Sequence, residues 1–215
     1  MRKTIRSPKQ KEKPTTRIEA FSDGVIAIAV TLLVLELVVP DLDILKVSRG
    51  SLARALGQQW PSYVAFLSSF CAIFIMWVHH NVLFHQVENK DSKLVFANGF
   101  LLLMITFVPF PTAVVARYFL TPAASIACLF YSATFVFVAI SFSVLVQAAF
   151  RPTMLSPKAS KLTIDRIKKS YRGGPFIYGA ATIAAPFSPW LSFGICIASW
   201  ILWIFVTIEQ KQADN

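Results

Sequence analysis

The hydrophobic positions of this chain fall into long runs separated by short polar segments. Five runs are clear, at about 24–39, 63–86, 94–118, 122–149 and 188–208. Each is near or above the roughly 18 to 20 residues that a helix needs to cross about 30 Å of hydrocarbon. A sixth run, 174–187, is shorter, but a span or a re-entrant hairpin is required here to connect its neighbours through the membrane. The pattern predicts an all-α integral membrane protein with six transmembrane helices.

Two polar segments lie between the predicted spans. Residues 151–173 are basic with interspersed Leu162, Ile164 and Ile167, which predicts a short helix lying on the inner leaflet. Residues 40–59 predict an amphipathic helix that leads into the second span. The resulting organisation is a basic cytoplasmic arm, a transmembrane domain and a cytoplasmic tail, at 1–16, 17–208 and 209–215.

Composition and charge agree with this reading and orient it. Hydrophobic residues make up 55% of the chain, which places it in the membrane class. Of its 21 Lys and Arg, 17 fall on one side of the predicted spans, and only Lys46, Arg49, Arg54 and Arg117 fall on the other. Lys and Arg collect in cytoplasmic loops, so both termini are predicted to be cytoplasmic in a multi-pass protein of the cell membrane. Topology accounts for the net charge of +10 without nucleic acid as a partner, although the basic arm also suits anionic lipid.

Two features that suggest other classes have simpler explanations. Cys71, Cys128 and Cys196 all lie inside apolar runs, so they are predicted to be packing residues and not a disulfide framework. A basic stretch followed by apolar residues also has the general shape of a signal peptide. The first span, however, contains Ser22, Asp23 and Glu36 and ends without a small-x-small cleavage site, so it is predicted to be retained.

The first span opens with polar and ionisable side chains. Thr16 and Glu19 have the spacing of a capping box, which predicts a helix start near Arg17. Glu19 and Asp23 are four residues apart and share a helix face, an arrangement that needs a cation or a hydrogen-bond donor beside it. Polar groups are costly in the bilayer, so Ser22 and its polar neighbours are expected to have partners on other helices.

The second span offers partners near its cytoplasmic end. His79 and His80 lie at about the membrane depth of Asp23, where a carboxylate and an imidazole on neighbouring helices can hydrogen-bond. Adjacent residues on a helix point about 100° apart, so the two histidines cannot easily bind one metal ion. We predict no metal site; structural packing is the favoured role, and proton sensing is the alternative.

The rest of the first span is apolar. At about 100° per residue, Ile28, Thr31, Leu32 and Leu35 form a single stripe, whereas Asp23 lies about 140° away from Ile28. Spacing alone makes such a stripe typical of ordinary helix packing.

The motif Arg17-x-x-x-Phe21-Ser22-Asp23 at the cytoplasmic start of the first of six spans resembles the signature of the transmembrane protein 175 family of potassium channels. Segment 77–84, with its His-His-Asn, is similar to the second helix of the prokaryotic members. The resemblance implies a homotetramer whose central pore is lined by the first helix of each chain. It implies a channel for K⁺ and other monovalent cations, with no cofactor and no enzymatic activity.

The resemblance also assigns roles to residues. It implies a hydrophobic constriction at Ile28, with Thr31, Leu32 and Leu35 further toward the outside. It implies a structural polar network that includes Arg17, Phe21, Ser22, Asp23, His79, His80 and Asn81. The chain lacks a Thr-Val-Gly-Tyr-Gly filter, so we expect weak selectivity for K⁺ over Na⁺. Glu36 near the outer mouth is expected to raise the local cation concentration.

Two other functions stay open at this stage. A proton- or ion-coupled secondary transporter needs a midplane site, usually at a broken helix, and Pro109 with Pro111 in the third span is the best available break. The absence of midplane charges in spans three to six argues against it. A membrane enzyme needs a nucleophile or metal set, and the sequence offers neither grouping at a convincing spacing.

Overall fold

The computed structural model describes residues 13–41, 43 and 47–212, with side chains described up to residue 205. Most of the predicted basic arm lies outside this part of the chain, as do Lys46 and the end of the predicted tail. The predicted domain boundaries therefore stay predictions.

The described residues form an all-α fold, as predicted. They contain eight α-helices, and the first continues into a short 3-10 helix at Leu33–Glu36. The α-helices are α1 Thr16–Leu32, α2 Arg49–Gln58, α3 Trp60–His85, α4 Ser92–Phe107, α5 Pro109–Tyr118, α6 Ala124–Ala149, α7 Lys161–Ala184 and α8 Pro189–Gln212.

Within the described residues, four segments are long and apolar enough to cross a membrane, namely Thr16–Glu36, Trp60–His85, Ser92–Tyr118 and Ala124–Ala149. They correspond to the first four predicted spans. The apolar part of α8 that can be described, Pro189–Phe205, is shorter.

The prediction of a separate surface helix in 151–173 is wrong, because Lys161–Ala184 is one continuous helix that contains Pro175. Proline has no N–H, so the carbonyl of Tyr171, four residues earlier, loses its helical partner. The hydroxyl of Ser143 in α6 lies 3.2 Å from this carbonyl and shares its hydrogen between it and the carbonyl of Ala139 at 2.8 Å. A side chain from the neighbouring helix therefore compensates for the proline.

The start of α1 also differs from the prediction. The residue before the helix is Thr15, and its side chain makes no capping hydrogen bond. Its backbone is already helical (φ −82°, ψ −17°), whereas a capping side chain reaches the first turn from an extended backbone. The predicted capping box of Thr16 and Glu19 is therefore wrong. In contrast, α2 forms within the predicted segment 40–59 and begins with a capping box of Ser48 and Ser51.

The core is organised around α6, which packs against α4, α5, α7 and α8. Its side chains Tyr131, Phe135 and Leu145 are fully buried. Helix α1 lies at the other side of the bundle, where it packs against α3 and α4. Cys128 and Cys196 are buried in this core and free, as predicted.

The seam between α6, α7 and α8 depends on a small residue. A Cβ at Gly174 would lie 3.2 Å from the Cβ of Ala139 and 3.4 Å from the ring of Trp203, whereas the space around Gly173 is open. Gly174 thus allows α7 to approach both neighbours closely.

We expect Gly173→Ala to stabilise the protein by about 0.5 to 1 kcal/mol, because alanine restricts the unfolded chain and favours helix. Gly174→Ala makes the same local change, but the neighbours must shift, and overpacking typically costs about 1 to 3 kcal/mol. Thermal unfolding of the detergent-solubilised variants should therefore place Gly174→Ala below Gly173→Ala. Equal midpoints would show that this seam adapts freely.

An ion pair joins the start of α4 to the end of α6. Asp91 precedes α4 and accepts a hydrogen bond from the backbone N–H of Leu94 at 2.9 Å. Two guanidinium nitrogens of Arg151, just after α6, donate to its two carboxylate oxygens at 2.7 and 2.8 Å. This bidentate pair, helped by the Leu94 N–H, lowers the pKa of Asp91 to about 2.

A carboxyl with a lowered pKa in the folded state stabilises the fold above its ordinary pKa, and the effect disappears as the pH falls through the folded value. The Asp91 contribution should be complete above about pH 4 and lost toward pH 2, as the ordinary pKa of 3.8 and the folded value of about 2 require. Melting curves of the wild type and Asp91→Asn should converge across this window. Asparagine still caps a helix, so a constant difference between the two would assign the effect to something other than this charge.

Candidate functional site

Helix α1 has one face packed against the bundle and one that is not. The buried positions are Ser22, Ile26, Ala29 and, in the 3-10 helix, Leu33. Their spacing of four, three and four residues defines a single helical face.

The predicted apolar stripe lies on the exposed face. The side chain of Ile28 is 60% exposed and that of Leu35 is 70% exposed, with Leu32 and Thr31 also exposed. The hydroxyl of Thr31 donates to the carbonyl of Ile28 in its own helix at 2.8 Å. The stripe therefore has no packing partner within the described chain.

The C-terminal end of the stripe is modified by the 3-10 helix that starts at Leu33. In a 3-10 helix, residues three apart eclipse each other, so Leu35 lies nearly over Leu32 instead of being rotated away from it. Glu36 is the last residue of this helix and is half-buried.

The exposed face also extends toward the N-terminal end of α1. Phe21 is 66% exposed and Arg17 is exposed, and at about 100° per residue both lie within about 20° of the direction of Ile28. Among the described residues, Arg17 has no hydrogen-bond or ion-pair partner. In the single chain, therefore, Arg17 and Phe21 make no contact of the predicted structural polar network.

Two hydrogen-bonded connections hold the packed face of α1. In the first, the amide nitrogen of Asn98 in α4 donates to the hydroxyl of Ser22 at 2.9 Å, and His80 Nε2 of α3 lies 2.9 Å from the Asn98 amide oxygen. Since that oxygen can only accept, His80 carries its proton on Nε2. All three residues are buried. The hydroxyl of Ser22 completes its bonding by donating to the carbonyl of Ile18 at 2.8 Å.

The second connection joins α1 to α3. The indole N–H of Trp77 donates to a carboxylate oxygen of Asp23 at 2.8 Å. A charged acceptor makes such a bond stronger than a neutral pair. Together the two connections fix both the depth and the rotation of α1, and so decide which of its faces is left exposed.

The other predicted members of the network have different surroundings. His79 points toward α7 and α8, where its ring meets Tyr171 and Trp203 edge-on at 5.6 and 5.9 Å. The amide of Asn81 donates to the carbonyl of Trp77 in its own helix at 3.3 Å. Adjacent helical positions diverge by about 100°, so only one of the two histidines reaches α1 and α4.

Sequence reasoning missed Asn98 and Trp77 as partners. Asn98 had a usable signal, since it is the only side-chain amide in the predicted third span, and such residues often link helices in membranes. Trp77 gave no signal, because tryptophan near the end of a span is ordinary. Among the described residues, no three His, Cys, Asp or Glu side chains come together in a way that suits a metal ion.

Comparisons with known proteins cover nearly the whole chain. Residues 17–109 match the family described as endosomal/lysosomal potassium channel TMEM175. The chain is 46% identical over 193 residues to a potassium channel of Chamaesiphon minutus, a match that covers 89% of this chain and 93% of that protein. It is 41% identical over 177 residues to a potassium channel of Streptomyces collinus, covering 79% of this chain and 84% of the relative.

A solved structure agrees with these sequence matches. The crystal structure of a lysosomal potassium-selective channel TMEM175 homolog from Chamaesiphon minutus superposes with a TM-score of 0.81. The two chains are 42% identical, and the match covers 90% of this chain and 97% of that one.

We expect Asn98→Ala to destabilise the protein by about 1 to 3 kcal/mol, because the buried N–H of the His80 ring loses its partner, while the Ser22 hydroxyl loses its donor and keeps its bond to Ile18. Asn81→Ala is the matched control, because it removes the same side chain from a half-buried position that bonds only within its own helix. Thermal unfolding in detergent should show a clearly larger loss for Asn98→Ala. Similar losses would mean that the connection does not secure α1.

Proposed function

The chain belongs to the TMEM175 family of potassium channels, and on that premise we propose that it is a K⁺-permeable cation channel of the cell membrane. The observation that carries the proposal is the exposed apolar face of α1, held in position by polar connections on its other side. In the membrane, lipid or another chain must contact this exposed apolar face. Because hydrogen bonds fix the rotation of α1, the same residues always form this face, which suits a specific function.

The use we infer is the lining of a pore. One helix cannot enclose a pore, but one helix from each chain arranged around a symmetry axis can, and we propose a homotetramer. Four copies of Ile28 then form the narrowest ring, with Thr31, Leu32 and Leu35 further outward. Rings of such residues repel water, which makes a hydrophobic constriction suited to gating by dewetting.

Selectivity in this proposal is weak. The chain has no Thr-Val-Gly-Tyr-Gly segment whose carbonyls replace the hydration shell of K⁺. Apolar side chains offer no such ligands, so preference for K⁺ over Na⁺ depends on the width of the ring and on hydration. Glu36, at the outer end of the 3-10 helix, raises the local concentration of cations at the mouth.

The polar residues behind the stripe act as architecture. Ser22 and Asp23, with their partners on α3 and α4, keep Ile28 directed to the axis. Arg17 and Phe21 are exposed in the single chain and point in nearly the direction of Ile28, so in the tetramer they face the axis at the cytoplasmic end of α1, where the four copies of this face meet. We assign them to contacts between chains.

The topology we propose has six spans and cytoplasmic termini. Helix α8 has 24 residues, and at 1.5 Å per residue it is about 36 Å long, enough to cross the hydrocarbon. Every Lys and Arg of α7 lies in its first half, up to Arg172. That half lies at the cytoplasmic surface, and the apolar second half enters the hydrocarbon as the short sixth segment.

A secondary transporter is the second candidate, because the third span is broken. Helix α4 ends at Phe107 and α5 begins at Pro109. Near the break, the hydroxyls of Ser69 and Thr112 lie 2.7 Å apart, and Tyr131 lies 3.0 Å from Ser69. These buried hydroxyls satisfy one another, and none of them carries a charge for a coupled ion. Single-channel recording in bilayers separates the two functions, since unitary currents require a channel.

We expect Ile28→Asn to raise conductance and to reduce discrimination between K⁺ and Na⁺, because four amides replace four apolar groups and hydrate the ring. Leu32→Asn and Leu35→Asn should act in the same direction but more weakly. Reversal potentials under K⁺/Na⁺ gradients measure the change. Each variant should first be shown to elute at four times the 24.0 kDa chain mass.

Val30→Asn provides the matched control on the same helix. Val30 packs against the core and lies about 160° around the helix from Ile28, so its substitution should leave selectivity unchanged. If Val30→Asn changes selectivity as much as Ile28→Asn does, the pore is lined by another face of α1. A carrier-like flux without unitary currents in the wild type would contradict the channel itself.

A further inference from the structure

An open groove lies between α6 and α7, away from the candidate pore. Its volume is about 380 Å³, and it is lined by Ser143, Val146, Gln147, Lys168, Tyr171 and Arg172. No part of the proposed permeation function uses it.

The groove presents positive charge and a hydrogen-bond donor. Lys168 and Arg172 are four residues apart and therefore neighbours on one face of α7. Among the described residues, neither has an ion-pair or hydrogen-bond partner. Gln147 on α6 contributes an exposed amide, whereas the hydroxyl of Ser143 is already used by backbone carbonyls of α6 and α7. Two cations and an amide at one point suit a phosphate group.

The groove also lies at the depth where such a group occurs in a bilayer. On α6, Gln147 is in the last turn before the cytoplasmic end at Ala149. On α7, Arg172 is the last basic residue, and Phe176, one turn further on, is 79% exposed. Basic surface thus changes to apolar surface at the groove, as it does between lipid headgroups and acyl chains. This placement rests on the topology proposed above.

The groove lies on two helices that are not the main packing partners of α1. Helix α7 packs against α6 and α8, whereas α1 packs against α3 and α4. In an assembly with α1 around the axis, α7 is therefore at the periphery, where its outer surface meets lipid.

We propose that this groove binds an anionic phospholipid of the inner leaflet. Lys168 and Arg172 contact the headgroup phosphate, the amide of Gln147 donates a hydrogen bond to it, and the acyl chains lie along the apolar surface at Phe176. The positive charge of the groove and the apolar surface directly beyond it together require a ligand with both parts.

The test measures lipid binding to the purified full-length chain by native mass spectrometry, with phosphatidylglycerol, phosphatidylcholine and glycerol 3-phosphate as probes. The double variant Lys168→Gln, Arg172→Gln should weaken phosphatidylglycerol binding by about 30-fold, at about 1 kcal/mol for each cation at a membrane surface. The control, Lys161→Gln with Lys169→Gln, removes two exposed charges from the same helix outside the groove and should change binding little. Gln147→Ala, a single change at an exposed position, should weaken binding without loss of charge.

Each other outcome contradicts the proposal in a recognisable way. Equal losses in the double variant and its control would mean that lipid responds to the general basic surface and not to this groove. If glycerol 3-phosphate binds as tightly as phosphatidylglycerol, the groove is a site for soluble phosphates and not for a lipid. Phosphatidylcholine binding as tightly as phosphatidylglycerol would remove the requirement for net negative charge. Binding is measured without current, so a chain that fails to conduct K⁺ would leave this result intact.

Discussion

The hydrocarbon of the bilayer supplies no water to hydrogen-bond a polar side chain, and the arrangement of α1 depends on this constraint. Ser22 and Asp23 lie near the start of the membrane-length helix, so other protein groups must supply the hydrogen bonds of their side chains. Asn98 and Trp77 are the donors that meet them. Because donor and acceptor must meet at a fixed distance, these bonds define the rotation of the helix more sharply than apolar contacts alone. The exposed stripe at Ile28 is the consequence on the opposite side.

The same constraint explains the two proline-containing regions. At Pro175 the carbonyl of Tyr171 loses its helical donor, and the hydroxyl of Ser143 replaces it from the neighbouring helix. At Pro109 the carbonyl of Ile105 loses its helical donor, and the backbone N–H of Val108 donates to it instead at 3.1 Å. In both regions another donor satisfies the freed carbonyl, so the bundle accommodates irregular helices.

The surfaces at α1 and at α7 therefore have different physical roles. On the side of α1, polar connections leave an apolar face uncovered, and we propose that copies of the chain cover it by forming a channel. On the side of α7, the proposed lipid site uses charges that the fold leaves without partners at the headgroup level. One surface is explained by contacts between chains and the other by contact with the membrane, and separate measurements test them.

Much of the candidate site could be predicted from the sequence, because its signals are local. The lengths of the apolar runs determined the first four spans, and the 3.6-residue period placed Ile28, Leu32 and Leu35 on one face of α1, with Asp23 about 140° away from Ile28. Polar residues in an apolar run required partners, but local patterns do not say which helices become neighbours. Only the tertiary structure decided that Asn98 and Trp77 are those partners, that His80 faces α1 while His79 faces α7, and that α7 continues through Pro175. Each of these depends on the relative depth and rotation of helices far apart in sequence, which hydrogen bonds and packing between them determine.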